Sequence, residues 1–438
     1  MQSSKSGNFP GMNEYDQLNG HELGTCDLQE NLLTDREKTS QVPKATVLQT
    51  IFNIARYFFG ISQLATPGSF KESGLIGGVV GIWLVVSIEI YTVHIQTRSA
   101  IKYDRKIGSL SELGLKVLGP CYQLLIDFFI IAGQVGLCVS YLMFNGSQID
   151  HAVCLASEKT FCGYRTWYIC LSVLLITPLW WIKSLSHLSY VSIITLCGVF
   201  STYTAIIYYS VQTIHEGEHH FYEIKMFDFV NYPFFLGIGM LNFIGNPATL
   251  NIRASMQKPD RFGFAFLVSA IIVCVVTNII ASLGYVAYGN ETNDIVTLSL
   301  PHNTLTFSIQ ILYWFGLFGS YPLQMIAAID VIEEAEYYKN LPNLDTFDLR
   351  YYIVRTLYVL LTGALAISIP NFGRFLDFNG ALAATSVWYI FPIIIYIVVF
   401  KNQLSSLEKC TTRSVLMFGI IFGGISILAS LVSLVIPY

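Results

Sequence analysis

Five ionisable residues of this 438-residue chain stand inside long apolar runs: Arg56, Glu89, His94, Asp127 and Arg355. A charge at membrane depth is costly unless it is neutralised, paired or wetted, so each is a functional hypothesis by default. Glu89 is the most informative, because it lies mid-run, where a carboxyl must be protonated or paired. That is the chemistry of an ion-coupling group. His94 stands near one end of the same run, where a surface role and proton binding both fit. Asp127 sits about two turns into the next run and can pair with an arginine. Arg56 and Arg355 are long enough to snorkel towards the interface.

Motifs for other chemistry are missing from the sequence. It holds no Walker-type phosphate loop, and Gly237-Ile238-Gly239 lies within an apolar run with no preceding strand, so neither ATP nor a dinucleotide is expected. It holds no metal-ligand spacing, no nucleophile beside a plausible His and acid, and no potassium-filter run. The expectation is therefore a protein that is not an enzyme, carries no cofactor and binds no nucleic acid. His215, His219 and His220, set among Glu216, Glu218 and Glu223, read as a solvated loop rather than a zinc or pH site.

The elements that hold these residues must be membrane helices. Hydrophobic residues make up 53% of the chain and charged residues 12%, too apolar a balance for a soluble domain of this size. Eleven apolar segments fall near 48–66, 75–97, 121–145, 166–182, 188–210, 231–252, 263–288, 305–330, 350–369, 376–400 and 414–436. Each is about long enough to cross a hydrocarbon core of roughly 30 Å as a helix. They predict an all-α polytopic membrane protein and exclude a β-barrel, whose strands alternate over about ten residues. Residues 1–45 are polar, lack the apolar core of a signal peptide and read as a disordered cytosolic tail; residues 46–438 form the transmembrane domain.

Basic residues set the orientation, since Lys and Arg of short loops stay on the cytosolic side. Lys102, Arg105, Lys116, Arg253, Arg261, Lys339, Arg350, Lys401, Lys409 and Arg413 fall with the tail. Lys71, Lys159, Arg165, Lys225 and Arg374 fall opposite, a minority that places the N-terminus inside. Two features of the outer loops agree. Asn290-Glu291-Thr292 is a glycosylation sequon, and Cys154 and Cys162 share one loop, where an oxidising compartment permits a disulfide.

Helix breaking at membrane depth is the remaining signal, because freed backbone groups are tolerated there only where they line a cavity. The first span carries a break at Gly60-Ile61-Ser62, followed by Thr66-Pro67-Gly68. The sixth carries one at Leu241-Asn242-Phe243-Ile244-Gly245-Asn246-Pro247. Interrupted spans at equivalent places in two five-span halves point to a midplane binding site between inverted repeats.

Taken in order, these residues resemble the amino acid/auxin permease family, and within it the vacuolar, lysosomal and proton-coupled members. Arg56, Gly60, Pro67, Lys71 and Gly74 are similar to its first-span signature, with Ser62 where a second glycine is usual. Gln134, Gly136, Cys138, Tyr141 and Phe144 resemble a third-span motif. Phe243, Gly245, Met256, Lys258 and Pro259 resemble a sixth-span motif in which Asn246 replaces histidine. Tyr321, Leu323 and Gln324, and then Ile369-Pro370-Asn371-Phe372, resemble later ones. The likeness runs from about residue 46 to 436.

The resemblance implies a LeuT-type fold of 5+5 inverted repeats, with broken helices 1 and 6, repeat one at 46–210, repeat two at 231–400 and an extra eleventh helix at 414–436. It implies an amino-acid substrate bound among Gly60, Ile61, Ser62, Gln134, Tyr141, Leu241, Asn242, Phe243, Gly245, Asn246 and Tyr321. A helix start at Gly60 to Ser62 suits a carboxylate, and free carbonyls at Leu241 to Gly245 suit an ammonium. The family implies a proton, with sodium as the alternative, and Glu89, His94 and Asp127 are the coupling candidates. A rival reading is a nutrient sensor using the same pocket, with the acidic loop Glu333 to Arg350 as a docking surface. Tyr15-Asp16-Gln17-Leu18 and Leu32-Leu33 resemble signals read by sorting adaptors, which favours a vacuolar or lysosomal membrane over the cell surface.

Overall fold

The computed structural model describes residues 45–105, 107–157, 160–181, 185–217, 224–243, 246–301, 303–334, 349–401 and 403–435. The tail signals, His219, His220, Gly245, Lys159 and most of the acidic loop from Glu336 to Asp348 lie outside them. One compact unit runs from Thr46 to Tyr438.

Helix α1 (Val47–Phe58) opens on a capping box: Thr46 Oγ1 accepts from the Gln49 amide (3.3 Å), and Gln49 Oε1 accepts from the Thr46 amide (2.9 Å). It stops at Phe59-Gly60, and α2 (Ile61–Ser73) starts at once. The prediction is corrected in detail here. Ile61 and Ser62 already form the first turn of α2, and Pro67 and Gly68 continue that helix instead of interrupting it. Gly74 then turns the chain with φ +76°, where a Cβ would stand 2.6 Å from the Phe227 amide nitrogen, so only glycine fits.

The chain continues as α3 (Leu75–Tyr103), α4 (Leu110–Leu118), α5 (Pro120–Ala156), α6 (Arg165–Trp180) and α7 (Leu185–His215). The predicted sixth span is again two pieces, α8 (Tyr232–Leu241) and α9 (Asn246–Ala254). After these come α10 (Phe262–Tyr288), α11 (Thr304–Glu334), α12 (Leu349–Ser368), α13 (Phe372–Ala383), α14 (Phe391–Val399), α15 (Ser406–Phe418) and α16 (Gly424–Val435). π-helical stretches join α13 to α14 at Ala384–Ile390 and α15 to α16 at Gly419–Gly423. Helix α4 was not anticipated, because nine amphipathic residues carry no membrane-length apolar run. Ser109 caps it, and Lys116 ties it to Asp104 at the end of α3 (3.1 Å).

Among the described residues, five helices are by themselves long and apolar enough to cross a bilayer: Leu75–Tyr103, Pro120–Cys154, Pro259–Glu291, Phe372–Val399 and Ser406–Leu434. Leu124, Phe128, Trp167, Leu174, Phe264, Leu361 and Leu428 project outward from their helices, as a lipid-facing surface requires. The last of the five is peripheral: 22% of its most apolar stretch is buried, against 67% for Phe372–Val399.

Inside, the apolar residues form two principal clusters. One holds Phe58, Phe70, Phe235, Phe243, Phe266 and Trp388; the other holds Ile61, Tyr141, Phe144, Trp180, Tyr203 and Leu241. Both chain breaks lie on the seam between them, since Phe58 and Phe243 belong to one cluster and Ile61 and Leu241 to the other.

At one end, Lys71, Arg165, Asn290, Asp294 and Asn371 line a groove of about 580 Å³. Cys154 and Cys162 are joined as a disulfide at this end, and Asp150 accepts from the Tyr164 amide (2.7 Å) in the same loop. Residues 225–228 clamp the Gly74 turn, with Leu75 N donating to Lys225 O (2.8 Å) and Asp228 N to Ser73 O (3.0 Å). Lys225 and the Asn231 amide hold the Asp228 carboxyl down at about 2. A depressed carboxyl stabilises wherever it is ionised and is lost only as pH falls through its folded value, so this clamp is intact in an acidic compartment.

Candidate functional site between two broken helices

The two breaks satisfy each other. The Gly60 amide donates to Gln63 Oε1 (2.8 Å), and Gln63 Nε2 donates to Phe58 O (2.7 Å) and reaches Asn242 O (3.4 Å) at the end of α8. Asn242 Nδ2 donates to Thr66 Oγ1 (2.9 Å), whose hydroxyl donates to Ser62 O (2.8 Å). Backbone groups freed by an interrupted helix need such partners away from water, and here side chains supply them. Phe243 packs edge-on against Phe58, and Phe58 against Phe266, each at 5.8 Å, which fixes the two ends in register.

Gly60 lies in extended backbone, φ −152° and ψ −162°, which any residue can adopt. A Cβ there would meet nothing within 4 Å. The glycine therefore keeps a space open and relieves no strain. The amides of Ile61 and Ser62 begin α2 and have no carbonyl within the helix to bond, so the positive end of α2 faces the break. Phe59 meets Tyr203 and Phe200 edge-on at 5.7 and 6.0 Å.

The other predicted residues are placed as follows. Gln134 and Tyr141 both lie close to Tyr57 of α1, so both flank the inner end of the first break. Tyr321 is buried with its hydroxyl 2.6 Å from Thr362 Oγ1, which turns it towards α12. Asn246 opens α9. Among the coupling candidates, Glu89 is buried beside Thr92 (3.5 Å) and close to Tyr389 of the first π-helical stretch. Glu89 Oε1 and the Tyr389 hydroxyl have no hydrogen-bond partner among the described residues. A π-turn beside an unpartnered buried carboxyl is a pattern found at functional sites.

His94 is exposed on the outward face of α3. Asp127 lies near Ser111 of α4, and its Oδ1 has no hydrogen-bond partner among the described residues. Arg355 donates to Trp180 O (2.9 Å) and stacks 4.2 Å over the Trp180 ring, so it does more than snorkel.

Sequence reasoning missed Gln63, Thr66, Glu72, Arg374 and Asp377. Gln63 carried a usable signal, being the third residue after a glycine break, where a side chain can reach back to the chain before it. Arg374 of α13 pairs with Glu72 of α2 at 2.8 Å and lies 3.7 Å over the ring of Phe234 on α8. One guanidinium thereby ties α13 to the outer halves of both broken helices. Alongside, Gly373 N donates to Asp294 (3.2 Å), and Arg165 donates to Pro370 O (2.8 Å). A cavity of about 230 Å³ at this closure is lined by Ala65, Ser69, Glu72, Phe234, Ile238 and Arg374, among others.

Two solved structures share this backbone arrangement. The inward-facing conformation of Mhp1 aligns with a TM-score of 0.54 at 10% identity, covering 89% of this chain and 90% of that one. The Eremococcus coleocola manganese transporter aligns at 0.50 and 11% identity, covering 87% and 85%. These likenesses establish the fold alone, an all-helical architecture.

Sequence relatives go further. Amino acid transporter AVT3B of Arabidopsis thaliana is 24% identical over 397 residues, 87% of this chain and 92% of its own length. AVT3A of the same plant is 26% identical over 398 residues. Vacuolar amino acid transporter 3 of Schizosaccharomyces pombe is 24% identical across 80% of this chain, which spans 52% of that longer protein. The model of the family described as transmembrane amino acid transporter protein matches residues 43–436, nearly the whole length, and this chain belongs to that family.

Proposed function

We propose that this protein is a secondary active transporter that moves small amino acids across a vacuolar or lysosomal membrane by alternating access, driven by protons. Eleven spans, with spans one to five and six to ten as inverted repeats, carry the cycle. The supporting observation is the pair of breaks joined through Gln63, Thr66 and Asn242, with open space beside Gly60. An α-carboxylate placed there meets the Ile61 and Ser62 amides and the positive end of α2. An α-ammonium meets carbonyls at the end of α8, around Leu241 to Phe243, and Gln134 and Tyr141 close the pocket's flank. Asn246 and Tyr321 complete the proposed lining, with Gly245 at the second break.

Alternating access needs an outer closure that can part, and Arg374 with Glu72 and Phe234 is the contact suited to it. A half-exposed pair of this kind is worth about 1 kcal/mol, small enough to break in each cycle. The energy source follows from a sequence without a nucleotide loop and with the buried carboxyl of Glu89 on α3.

Purified protein in liposomes tests the reading. Labelled amino acid should accumulate when the side from which it enters is acidified, a protonophore should stop it, and replacing sodium should change little. Gly60→Val should lower uptake by about a hundred-fold while the protein still folds, because the new side chain occupies empty space and strains no backbone. Near-normal uptake by Gly60→Val would sink the pocket, and accumulation that follows sodium would sink proton coupling.

A further inference from the structure

Asp377 has no part in the pocket just described, yet its carboxylate is buried and accepts hydrogen bonds from two other helices. It lies on α13, 1% exposed, where α8, α13 and α16 meet. Its Oδ1 accepts from the Ile238 amide (3.2 Å) of α8. Its Oδ2 accepts from Ser426 (3.5 Å) and from Ser430 of α16. The donor on α8 stands one turn before the second break. Backbones touch here: a Cβ on Gly237 would lie 2.0 Å from Asp377 O, and one on Gly380 would lie 2.1 Å from Gly237 O.

The surrounding charges are few. Arg374, one turn earlier on α13, is the charge that acts on Asp377, and it is engaged by Glu72 of α2, with Lys71 in the same outer cavity. Helix α8 offers an amide and α16 hydroxyls. Helix α5 presents Gly133 and Gly136 to the neighbouring Asn379, whose Nδ2 donates to Gly133 O (3.3 Å).

We propose that Asp377 is a proton-binding site that latches the outer half of the sixth span. Ionised, it draws three donors inward with charge-assisted bonds, of which the one from the Ile238 amide holds α8 on α13. Protonated, it keeps the same neighbours but loses the charge that strengthens those bonds, so α8 parts more readily and the 230 Å³ cavity, lined by Phe234 and Ile238 of α8, opens outward. The ligand is a proton and no larger cation, because an amide hydrogen and hydroxyls already point at both oxygens and the glycine contacts leave no room for another ion. The inference rests on proton-coupled transport as proposed above and adds to it where a proton is felt.

The test uses Ser69→Cys, a residue of that cavity, in full-length protein in nanodiscs with Cys121, Cys170 and Cys197 replaced by serine. Labelling by an impermeant thiol reagent is read by mass spectrometry as the ratio to the native exposed Cys410, which cancels the pH dependence of thiol chemistry. From about pH 7.5 to about pH 5 the ratio should rise about five-fold or more. Asp377→Asn should hold it high at every pH, and Glu89→Gln should leave the rise intact. Ser426→Ala with Ser430→Ala removes two donors to the charged form and should move the response to more alkaline pH, a check that does not depend on how Asp377→Asn folds. A response in Asp377→Asn equal to wild type overturns the proposal, as does one that requires sodium. A flat wild-type ratio alongside gradient-driven uptake overturns this latch and leaves proton-coupled transport standing. Uptake indifferent to pH refutes proton-coupled transport and, with it, the latch that rests on it.

Discussion

At the scale of single residues, Glu89 and Asp377 show how differently two buried carboxyls are arranged. Asp377 accepts from three donors, whereas Glu89 has Thr92 at 3.5 Å and a free Oε1. A group so sparsely held can change partners at little cost. Glu89→Gln imitates the neutral form, so it should keep substrate exchange and lose accumulation against a gradient. Vesicles loaded with amino acid and given an imposed pH difference read both quantities. Accumulation that still tracks the gradient in the variant removes Glu89 from coupling. Glu89 was legible in the sequence because it stands in the middle of an apolar run. Asp377 was not, because its span was placed from residue 376, which made it look like an interfacial residue.

At the scale of elements, the breaks were legible and their closure was not. Glycine and proline announce an interruption locally, but which residues satisfy it depends on what the other half brings near. Asn242 meets Thr66 across 176 residues, and Arg374 meets Glu72 across 302. Nothing in the spacing announces either pair. Helix α4 was missed for the opposite reason, since its signal is local but too short to count as a span. The outer closure yields its own prediction. Glu72→Arg and Arg374→Glu alone should each slow transport several-fold, and the double swap should recover most of it, with a coupling energy of about 1 kcal/mol in the uptake rates. No recovery in the swap means that the pair only fastens a static scaffold.

At the scale of the whole molecule, the balance of basic residues predicts which end is which, and the structure gathers Lys71, Arg165 and Asn290 around one groove. Asn290 is exposed there, while the Thr292 hydroxyl of its sequon is turned in to Gly289 O (2.7 Å). A glycan on Asn290 would therefore have to be added before this turn closes. Protein made in eukaryotic cells should shift on glycosidase treatment, and Asn290→Gln should lose the shift. A shift that persists places the glycan elsewhere, and none in either protein places this groove on the cytosolic side.

The peripheral position of the last helix has a consequence for where the protein works. Ser406–Leu434 turns most of its surface to lipid, yet Ser426 and Ser430 on its inner face help to hold Asp377. A helix packed so lightly takes its tilt from the thickness of the membrane around it. Tilt alters how squarely the two hydroxyls meet the carboxylate. On the latch proposed above, bilayer thickness would then shift the pH at which the cavity opens, with different set points in a thin organelle membrane and a thick, sterol-rich one.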